Sequence, residues 1–478
     1  MSLTAAAAWA ADPADKSIPT APELELRYVL DAVRVDGNTR TNERVILRYL
    51  PFTPGDVLDV DDPRVLQSRY RLLGTGFFKD VELHLERGER RGHVVLVVHV
   101  RERNTLVLND LWMGLAASAD TDGEKQSLST FAGVDAAETN LAGSGVTLGG
   151  ATAFSENQWA LAVRFLDPAF SSSRWMLSSE ILYNDALGFF GNSNVRWDDP
   201  QQISAVPRQA VVSYKRLGTT LRVGTDLSVT SQLWLNYRIE GIKAHLPNAA
   251  AHEYGGELEP IDFHILPGHS LLSSASATLT VDTRDQPLLT SQGTLSALSF
   301  EVSAPPLGSD FTYEKLDARA SHWWRLPTHH VVMLEGSLGM ITGRAPFFEQ
   351  YYIGDLSDFR PGRVLGLAFD DRPAPNFLRT SIAEIRYGDY SAAVTTEYRI
   401  PLYRGHRSVL GIDVFGRFGV LGLASDRDLQ RPPRNLHGFS TLPIDLTAGL
   451  GFRMDTTLGG FAFSFSNVLG FIPTGGAP

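Results

Sequence analysis

Charged side chains that alternate with apolar ones in the last third of the chain are the residues best suited to specific chemistry. Side chains point alternately to the two faces of a β-strand, so a regular alternation separates a polar face from an apolar one. Carboxylates on such a polar face can accept the two parallel N–H groups of an arginine. In segments 392–400, 409–416 and 446–454 the polar set comprises Glu397, Arg399, Asp413 and Arg453.

The elements that carry these residues belong to a long series of alternating segments that begins at Thr105. Many have the length that tilted membrane strands need, and their apolar faces suit lipid. In segment 313–321 the polar residues Lys315, Asp317 and Arg319 oppose small and apolar ones, so we expect them to face a lumen. A soluble β-sandwich or solenoid is the alternative, and the absence of a visible repeat disfavours it. We predict strands near 106–118, 127–138, 144–156, 157–167, 173–185, 209–228, 231–244, 270–283, 293–303, 311–325, 330–342, 390–402, 408–421, 444–456 and 460–471.

A different pattern precedes these strands and predicts a small β-α-α-β-β unit. Thr41 and Asp61 stand as capping residues before two apolar sets with helical spacing. Two alternating strands follow, from Val81 to Leu85 and from Val94 to Val100. This unit resembles the polypeptide-transport-associated (POTRA) domain, and an unrelated small α+β domain is the alternative. The residues that carry the resemblance are Gly37, Asn38, Gly55, Leu73, Gly76, Phe77 and Phe78.

Turn motifs between the later strands resemble those of outer-membrane assembly barrels, the BamA and TamA superfamily, also called the bacterial surface antigen family. The segment 138–145 resembles the superfamily's E-x-N-L-x-G-x-G turn, and segments 167–168 and 282–293 resemble its later D-P and D-x-R-D…G turns. The resemblance implies an α+β POTRA domain followed by an antiparallel transmembrane β-barrel of sixteen strands, of which about fifteen are readable here. The matching turn residues are Asn140, Gly143, Asp167, Pro168, Asp282, Arg284, Asp285 and Gly293.

The long segment 343–389 resembles the superfamily's sixth extracellular loop, whose arginine-bearing tip folds back into the lumen. Arg360 and Gly362 match that tip, although Pro361 separates them and no aromatic residue follows. We therefore expect Arg360 to pair with Asp413, Glu397 or both and to hold the loop in the lumen. The alternative is that these charges only solvate a water-filled lumen.

Composition limits the functions that remain. The net charge of −11 argues against nucleic acid as a partner, because phosphate binding needs a basic face. The chain has no Cys, which removes disulfides and thiolate metal sites, and no catalytic motif supports an enzyme. The pair His329 and His330 is better explained as a solvated turn than as a metal site, since no third ligand is near in sequence. No cofactor or metal is expected.

The sequence also allows predictions for both ends of the chain and for the domain boundaries. Residues 1–11 are either the remnant of a secretory signal or an Ala-rich tail, and residues 12–26 form a Pro-rich linker. We place the POTRA domain at 27–104, the barrel at 105–471 and a tail at 472–478. That tail is too short and too rich in Gly and Pro for a spanning strand, so we expect a seam that lacks its closing strand.

These observations predict an outer-membrane protein whose POTRA domain lies in the periplasm and captures unfolded or extended client proteins by β-augmentation. The barrel seam would template the clients into the outer-membrane lipid. A dedicated secretion pore for one partner protein is the alternative, and a passive porin is a third possibility. The resemblance leaves periplasmic lipoproteins or chaperones open as further partners.

Overall fold

The computed structural model describes residues 27–465, apart from several internal gaps. The expectations for residues 1–26 and 472–478, and those for Arg360 and Gly362, lie outside the described residues. The gaps are 60–61, 120–124, 173–174, 191–195, 198–209, 248–249, 255–256, 357–362, 370–386, 406–408, 427–428 and 430–443.

The N-terminal domain is a four-stranded sheet with two helices packed on it. The strands lie in the order β2-β1-β4-β3, with β1 parallel to β4 and β3 antiparallel to it. The predicted β-α-α-β-β order is present, with one additional short strand, β2. The elements are β1 (Arg27–Asp36), α1 (Glu43–Arg48), β2 (Val57–Asp59), α2 (Pro63–Gly74), β3 (Phe78–Arg87) and β4 (His93–Glu102).

The capping residue of each helix lies one position later than predicted. The side chain of Asn42, not Thr41, accepts the backbone N–H of Arg44 at the start of α1. Asp62 caps α2 in the same way, whereas Asp61 lies outside the described residues. Asn and Asp are as effective at the N-cap as the residues predicted, so sequence alone could not choose between neighbours.

Apolar side chains from both helices and all four strands fill one core between helices and sheet. Burial of these side chains supplies the main free energy that stabilises the domain. Among the described residues no helix is long and apolar enough to cross a membrane. The most deeply buried core residues are Leu30, Ile46, Leu58, Leu72, Val81, Leu96 and Val98.

The rest of the described chain is dominated by one antiparallel sheet of fifteen strands, which forms a nearly closed barrel. Each of the fifteen predicted strands is present, and the predicted fold class is confirmed. The strands of this sheet are β5 (Leu106–Ala119), β6 (Lys125–Glu138), β7 (Thr147–Ser155), β8 (Gln158–Asp167), β9 (Trp175–Phe190), β11 (Ala210–Asp226), β12 (Ser231–His245), β15 (Gly268–Asp282), β16 (Gly293–Ser303), β17 (Thr312–Arg325), β18 (Val331–Arg344), β21 (Tyr390–Arg404), β22 (Val409–Ala424), β23 (Ile444–Thr456) and β24 (Gly459–Phe465).

Several short elements lie outside the fifteen-stranded sheet. The described residues between β18 and β21 include the strand pair β19 and β20 and one helical turn, α3. The additional elements are β10 (Arg196–Trp197), β13 (Ala250–Tyr254), β14 (Glu257–Pro260), β19 (Tyr351–Tyr352), α3 (Ile353–Leu356) and β20 (Tyr387–Gly388).

The first barrel strand differs in detail from expectation. Asn109 and Gly114 are of residue types that disfavour strands, but β5 continues through both positions. The register shifts between Leu108 and Asp110, whereas Gly114 stays paired with Phe131. A bulge absorbs one extra residue without ending a strand, so Asn109 changes the local twist rather than the pairing.

The outer wall of the barrel carries the apolar residues. On β21, Val394 and Leu402 are 56% and 63% exposed, and Leu338 on β18 is 65% exposed. The odd positions of β21 from 391 to 401 are buried or half-buried on the inner side, up to the register shift before Tyr403. This alternation matches a wall with lipid outside and a polar or filled interior.

Candidate functional site: lumen, loop, seam and domain junction

Glu397 is a buried carboxylate on the inner wall that receives two arginines. Arg453 of β23 donates two hydrogen bonds to it, at 2.9 and 2.8 Å, and Arg417 of β22 donates one at 3.1 Å. The carboxylate is 1% exposed, so these charge-assisted bonds offset its desolvation. The fork from Arg453 joins β21 to β23 across the intervening strand.

Asp413 is the second predicted lumen carboxylate and also has partners from the wall. Arg399 Nε lies 3.2 Å from it, and Arg404 forms a closer ion pair. Asp413 and Arg399 are almost fully buried. Both carboxylates that we expected to receive Arg360 are thus paired with strand arginines, while the Arg360 pairing itself stays a prediction.

The predicted lumen residues of β17 contact neighbouring strands and the loop. Tyr351, from the loop between β18 and β21, donates a hydrogen bond to Asp317 at 2.8 Å. Arg319 pairs with Glu335 at 2.8 Å, and Arg319 is 65% exposed. These contacts make Asp317 a loop contact, whereas Arg319 contributes to an open, solvated part of the wall.

The described loop residues 345–356 and 363–369 pack into the barrel by apolar contacts. Phe348 stacks on Tyr214 of β11 with ring centroids 5.6 Å apart, and Phe347 meets Phe190 of β9 edge-on at 5.1 Å. Phe369 stacks on Phe131 of β6 at 4.7 Å. Aromatic pairs of this kind add to the stabilisation from buried area. The loop therefore plugs one end of the barrel.

Wall side chains also hold the loop backbone. Gln158 donates to the carbonyl of Ala368 at 2.9 Å, and Asn184 donates to that of Leu365 at 3.1 Å. Tyr214 donates to the carbonyl of Gly366 at 3.0 Å. These bonds satisfy one buried and two partly buried carbonyls, which favours the folded-in position.

Glu349 is a loop residue that sequence reasoning missed. Its carboxylate lies 2.7 Å from Arg238 Nη1 of β12, and the residue is only 7% exposed. A carboxylate within the apolar stretch of residues 345–353 was the available signal, because such a residue is rarely buried without a cationic partner.

The N-terminal domain docks on the turns at the opposite end of the barrel. Arg48 of α1 pairs at 3.0 Å with Asp226, which ends β11, and Arg71 of α2 pairs with the same carboxylate. Both guanidiniums also lie near the ring of Tyr49, at 5.9 and 5.4 Å from its centroid. Burial raises the pKa of Tyr49 to about 12, against the effect of the two arginines. Sequence reasoning identified none of these residues.

Predicted turn residues take part in this junction. Asn140 donates to Thr41 at 2.8 Å and accepts the N–H of Gly145 at 2.7 Å. The carbonyl of Gly143 accepts the N–H of Asn42 at 2.9 Å. Gly143 has a φ of +77°, and a Cβ there would collide with the carbonyl of Arg40. The turn thus fits the start of α1 only with Gly at that position.

The acidic side chains of the D-P turn and of the D-x-R-D turn form hydrogen bonds within their own turns. Asp167 accepts the N–H of Ala169 at 2.9 Å, and the carbonyl of Pro168 accepts Arg48 Nε. In the second turn Arg284 donates to Asp282 at 2.7 Å. Asp285 accepts the N–H of Ser291 at 2.9 Å. Gly293 has a φ of +111°, and a Cβ there would collide with the carbonyl of Thr283.

The predicted POTRA signature residues shape turns and core. Gly37, Gly55 and Gly76 all have positive φ, a conformation that favours Gly. Asn38 donates to the carbonyl of Thr41 at 3.1 Å, and the carbonyl of Leu73 accepts the N–H of Gly76. The rings of the buried residues Phe77 and Phe78 lie edge-on with centroids 6.0 Å apart.

The seam between β5 and β24 is the weakest junction of the barrel. Among the described residues, one backbone hydrogen bond joins the two sides there, from Leu108 to Leu458 at 2.8 Å. Arg103 crosses the seam at the same end and pairs with Asp455 at 2.9 Å. The chain has only three residues between β4 and β5, so this tie also fixes the N-terminal domain to the seam.

Comparison with protein families identifies both parts of the chain. Residues 140–472 match the Omp85 superfamily domain, and residues 28–103 match the POTRA family described as surface antigen variable number repeat. The chain belongs to the Omp85 superfamily. Omp85 proteins are assembly or secretion factors of the outer membrane. The Omp85 barrel therefore lies in that membrane, with the POTRA domain and the turns beneath it on the periplasmic side and the plugging loop at the outer end.

Individual relatives of this Omp85 protein are distant. The outer membrane protein assembly factor BamA of Nitratidesulfovibrio vulgaris is 24% identical over 344 residues, which is 70% of this chain and 38% of that protein. BamA of Neorickettsia risticii is 32% identical over 83 residues, 17% of this chain and 11% of that protein. The chain thus spans well under half the length of these curated relatives.

Some solved structures are similar to this Omp85 protein. CdiB from Escherichia coli is 12% identical, with 92% of this chain and 72% of that chain covered and a TM-score of 0.55. BamA from Haemophilus ducreyi lacking POTRA domains 1–3 is 17% identical, with 92% and 80% covered and a TM-score of 0.48. At these identities the likeness concerns the fold alone.

Proposed function

We propose that this protein inserts or translocates other proteins at the outer membrane, with the POTRA domain capturing extended clients and the barrel seam receiving them. The observation that carries the proposal is the seam, where one backbone hydrogen bond joins the two terminal strands among the described residues. An unpaired strand edge in lipid costs several kcal/mol for each unsatisfied group, so the seam favours pairing with another strand.

The POTRA sheet offers a second edge near the seam. β3 is the terminal strand of its sheet, and no described strand pairs with its outer edge. Arg69 donates to the carbonyl of Val81 at 2.7 Å, so one group of that edge is already occupied. The groups farther along β3 can pair with an extended peptide in a way that tolerates many sequences.

A crevice links the two edges. It has a volume of about 510 Å³ and is lined by α2, the start of β3, the start of β5 and the turn before β16. Arg69, Phe78 and Leu108 are among its lining residues. A client strand that leaves β3 would therefore reach the periplasmic end of the seam without crossing the lumen.

The arrangement of the two lumen ends supports insertion over secretion. The loop plugs the outer end, and α1 and α2 pack against the turns at the periplasmic end. Passage through the lumen requires the loop to move, whereas pairing at the seam leaves both the loop and the docked helices in place. The passive porin is disfavoured for the same reason.

Depletion of the protein, followed by proteomics of the outer membrane and the medium, tests the proposal. We expect a broad loss of barrel proteins from the outer membrane. Loss of one exported protein with barrels unchanged would instead indicate a secretion pore. A photo-crosslinker at Glu82 or His84 on β3 should capture clients, whereas the matched position Arg34 on β1 should not.

A further inference from the structure

The carboxylate of Glu349 lies among three cationic side chains of the inner wall. Arg238 Nη1 is 2.7 Å away, Lys315 Nζ is 3.7 Å away and Arg216 Nη2 is 3.9 Å away. All four side chains are at most 18% exposed. Charges in such a place interact strongly, because little water screens them.

Two wall carboxylates pair directly with cations of this cluster. Arg216 pairs with Glu240 at 2.7 Å, and Arg238 pairs with Glu301 at 2.7 Å. Three cations therefore face two wall carboxylates, and Glu349 of the loop supplies the third. Without it Lys315 loses the carboxylate that lies within 4 Å of its ammonium, and an ammonium without such a partner is costly in a buried place.

The geometry of the cationic group is fixed by its neighbours. Tyr313 donates to Glu301 at 2.7 Å and accepts from Arg238 at 2.9 Å. The guanidinium of Arg216 lies 4.0 Å from the ring centroid of Phe348. A polar cavity of about 350 Å³, lined partly by hydroxyl side chains, adjoins the group on the lumen side. The site is thus preorganised and has open space beside it.

We propose that Arg216, Arg238 and Lys315 form a carboxylate-binding site on the lumen wall, and that Glu349 is its internal ligand. Occupation by Glu349 holds the loop in the lumen. Lys315 adds a bond to the main chain, since its ammonium donates to the carbonyl of Glu349 at 2.9 Å. The inference concerns the plug and does not depend on whether the clients are inserted or secreted.

Conductance of the purified full-length protein in planar lipid bilayers tests the proposal. We expect Glu349→Ala to raise the open probability or conductance at least several-fold over wild type. The open pore should also shift toward anion selectivity in a KCl gradient, because three wall cations then face two carboxylates. The nearly isosteric Glu349→Gln should act in the same direction, which guards against a folding defect in the Ala variant.

Glu335→Ala is the matched control, because Glu335 is a lumen carboxylate whose hydrogen bonds and ion pair join it to Arg319 and Ser321 and, among the described residues, to none of the loop. It should leave the loop in place. The charge-exchanged pair Glu349→Lys with Arg238→Glu should close the pore relative to Glu349→Lys alone. Wild-type conductance for folded Glu349→Ala and Glu349→Gln, an equal effect of Glu335→Ala, or unchanged selectivity of the opened pore would overturn the proposal.

Discussion

Asp226 at the end of β11 and Arg48 in α1 form an ion pair of 3.0 Å that joins the barrel to the POTRA domain. Their side chains are 17% and 10% exposed, which distinguishes the pair from an ordinary surface contact. Arg71 of α2 reaches the same carboxylate. One turn residue thus fixes both helices, and through them the orientation of the free β3 edge.

Asp226→Ala should loosen this docking, because it leaves two buried guanidiniums without their common partner. We expect faster amide hydrogen exchange in α1 and α2 of the full-length protein, with little change inside the barrel strands. Hydrogen exchange followed by mass spectrometry measures this. Asp282→Ala, in another periplasmic turn where the acid pairs locally with Arg284, is the control and should leave the helices unchanged.

Gly143→Ala should disturb the same junction from a different turn. The substitution places a Cβ against the carbonyl of Arg40 at a φ of +77°, so the turn or the start of α1 has to shift. Gly308→Ala is the matched control, since Gly308 has a φ of +86° but open space around its Cβ position. Protease sensitivity of the POTRA domain should increase for Gly143→Ala only. Equal sensitivity of the two variants would assign the effect to backbone strain alone.

Glu397→Ala should destabilise the barrel wall by about 3 kcal/mol, because it removes the common partner of Arg417 and Arg453 from a buried position. Urea unfolding of the protein in lipid vesicles reports the loss. Glu335→Ala removes a partner from the exposed Arg319 and should cost about 1 kcal/mol or less. A similar cost for the two variants would show that water reaches Glu397 freely.

Arg360→Ala tests the predicted loop lock. Glu397 and Asp413 each have arginine partners from the wall, so loss of Arg360 leaves neither without a cation. We expect a smaller loss of stability than for Glu397→Ala, together with looser loop packing if Arg360 reaches either carboxylate. Hydrogen exchange of residues 345–356 measures the packing. An Arg360 guanidinium more than about 6 Å from both carboxylates would rule out the lock.

The stability of the POTRA domain should depend on pH through the carboxyl group of Glu102. Burial alone would raise the pKa of this carboxyl, but hydrogen bonds from Thr39, Thr41 and Arg40 outweigh burial and hold the pKa below the ordinary value of 4.5. A lowered pKa stabilises the folded state above the ordinary value, and that stabilisation is lost as the pH falls through the folded pKa.

At pH 7 we therefore expect Glu102→Gln to speed amide exchange at Arg40 and Thr41 by about tenfold, the effect of losing charge-assisted hydrogen bonds. The difference from wild type should shrink as the pH falls below the folded pKa. Glu82→Gln, at an exposed position of β3, serves as control and should show no such difference. A constant difference across this range would mean that the carboxylate charge is not responsible.

The sequence by itself determined the strands, because alternation of apolar and polar side chains is a local property of each segment. Val394, Tyr398 and Ile400 identify the outer face of β21 regardless of what surrounds it. In the same way, the Gly and aromatic positions of the POTRA segment identify the α+β unit. The turns at Gly37 and Gly76 need a positive φ, which is a property of the single residue and not of its distant neighbours. The fold class therefore followed from these local patterns together with the resemblance of the turn motifs to those of outer-membrane assembly barrels.

The pairing of charges was decided only by the tertiary structure. Glu397, Arg453 and Arg417 come from three strands, and their contact depends on the register between β21, β22 and β23. Asp226 meets Arg48 across 178 residues of sequence, and Glu349 meets Arg238 across 111. Alternation gives the face on which a side chain lies but carries no information about its partner across a sheet, a loop or a domain junction. Those partners are fixed by the closure of the barrel and the docking of the POTRA domain, which depend on the whole chain.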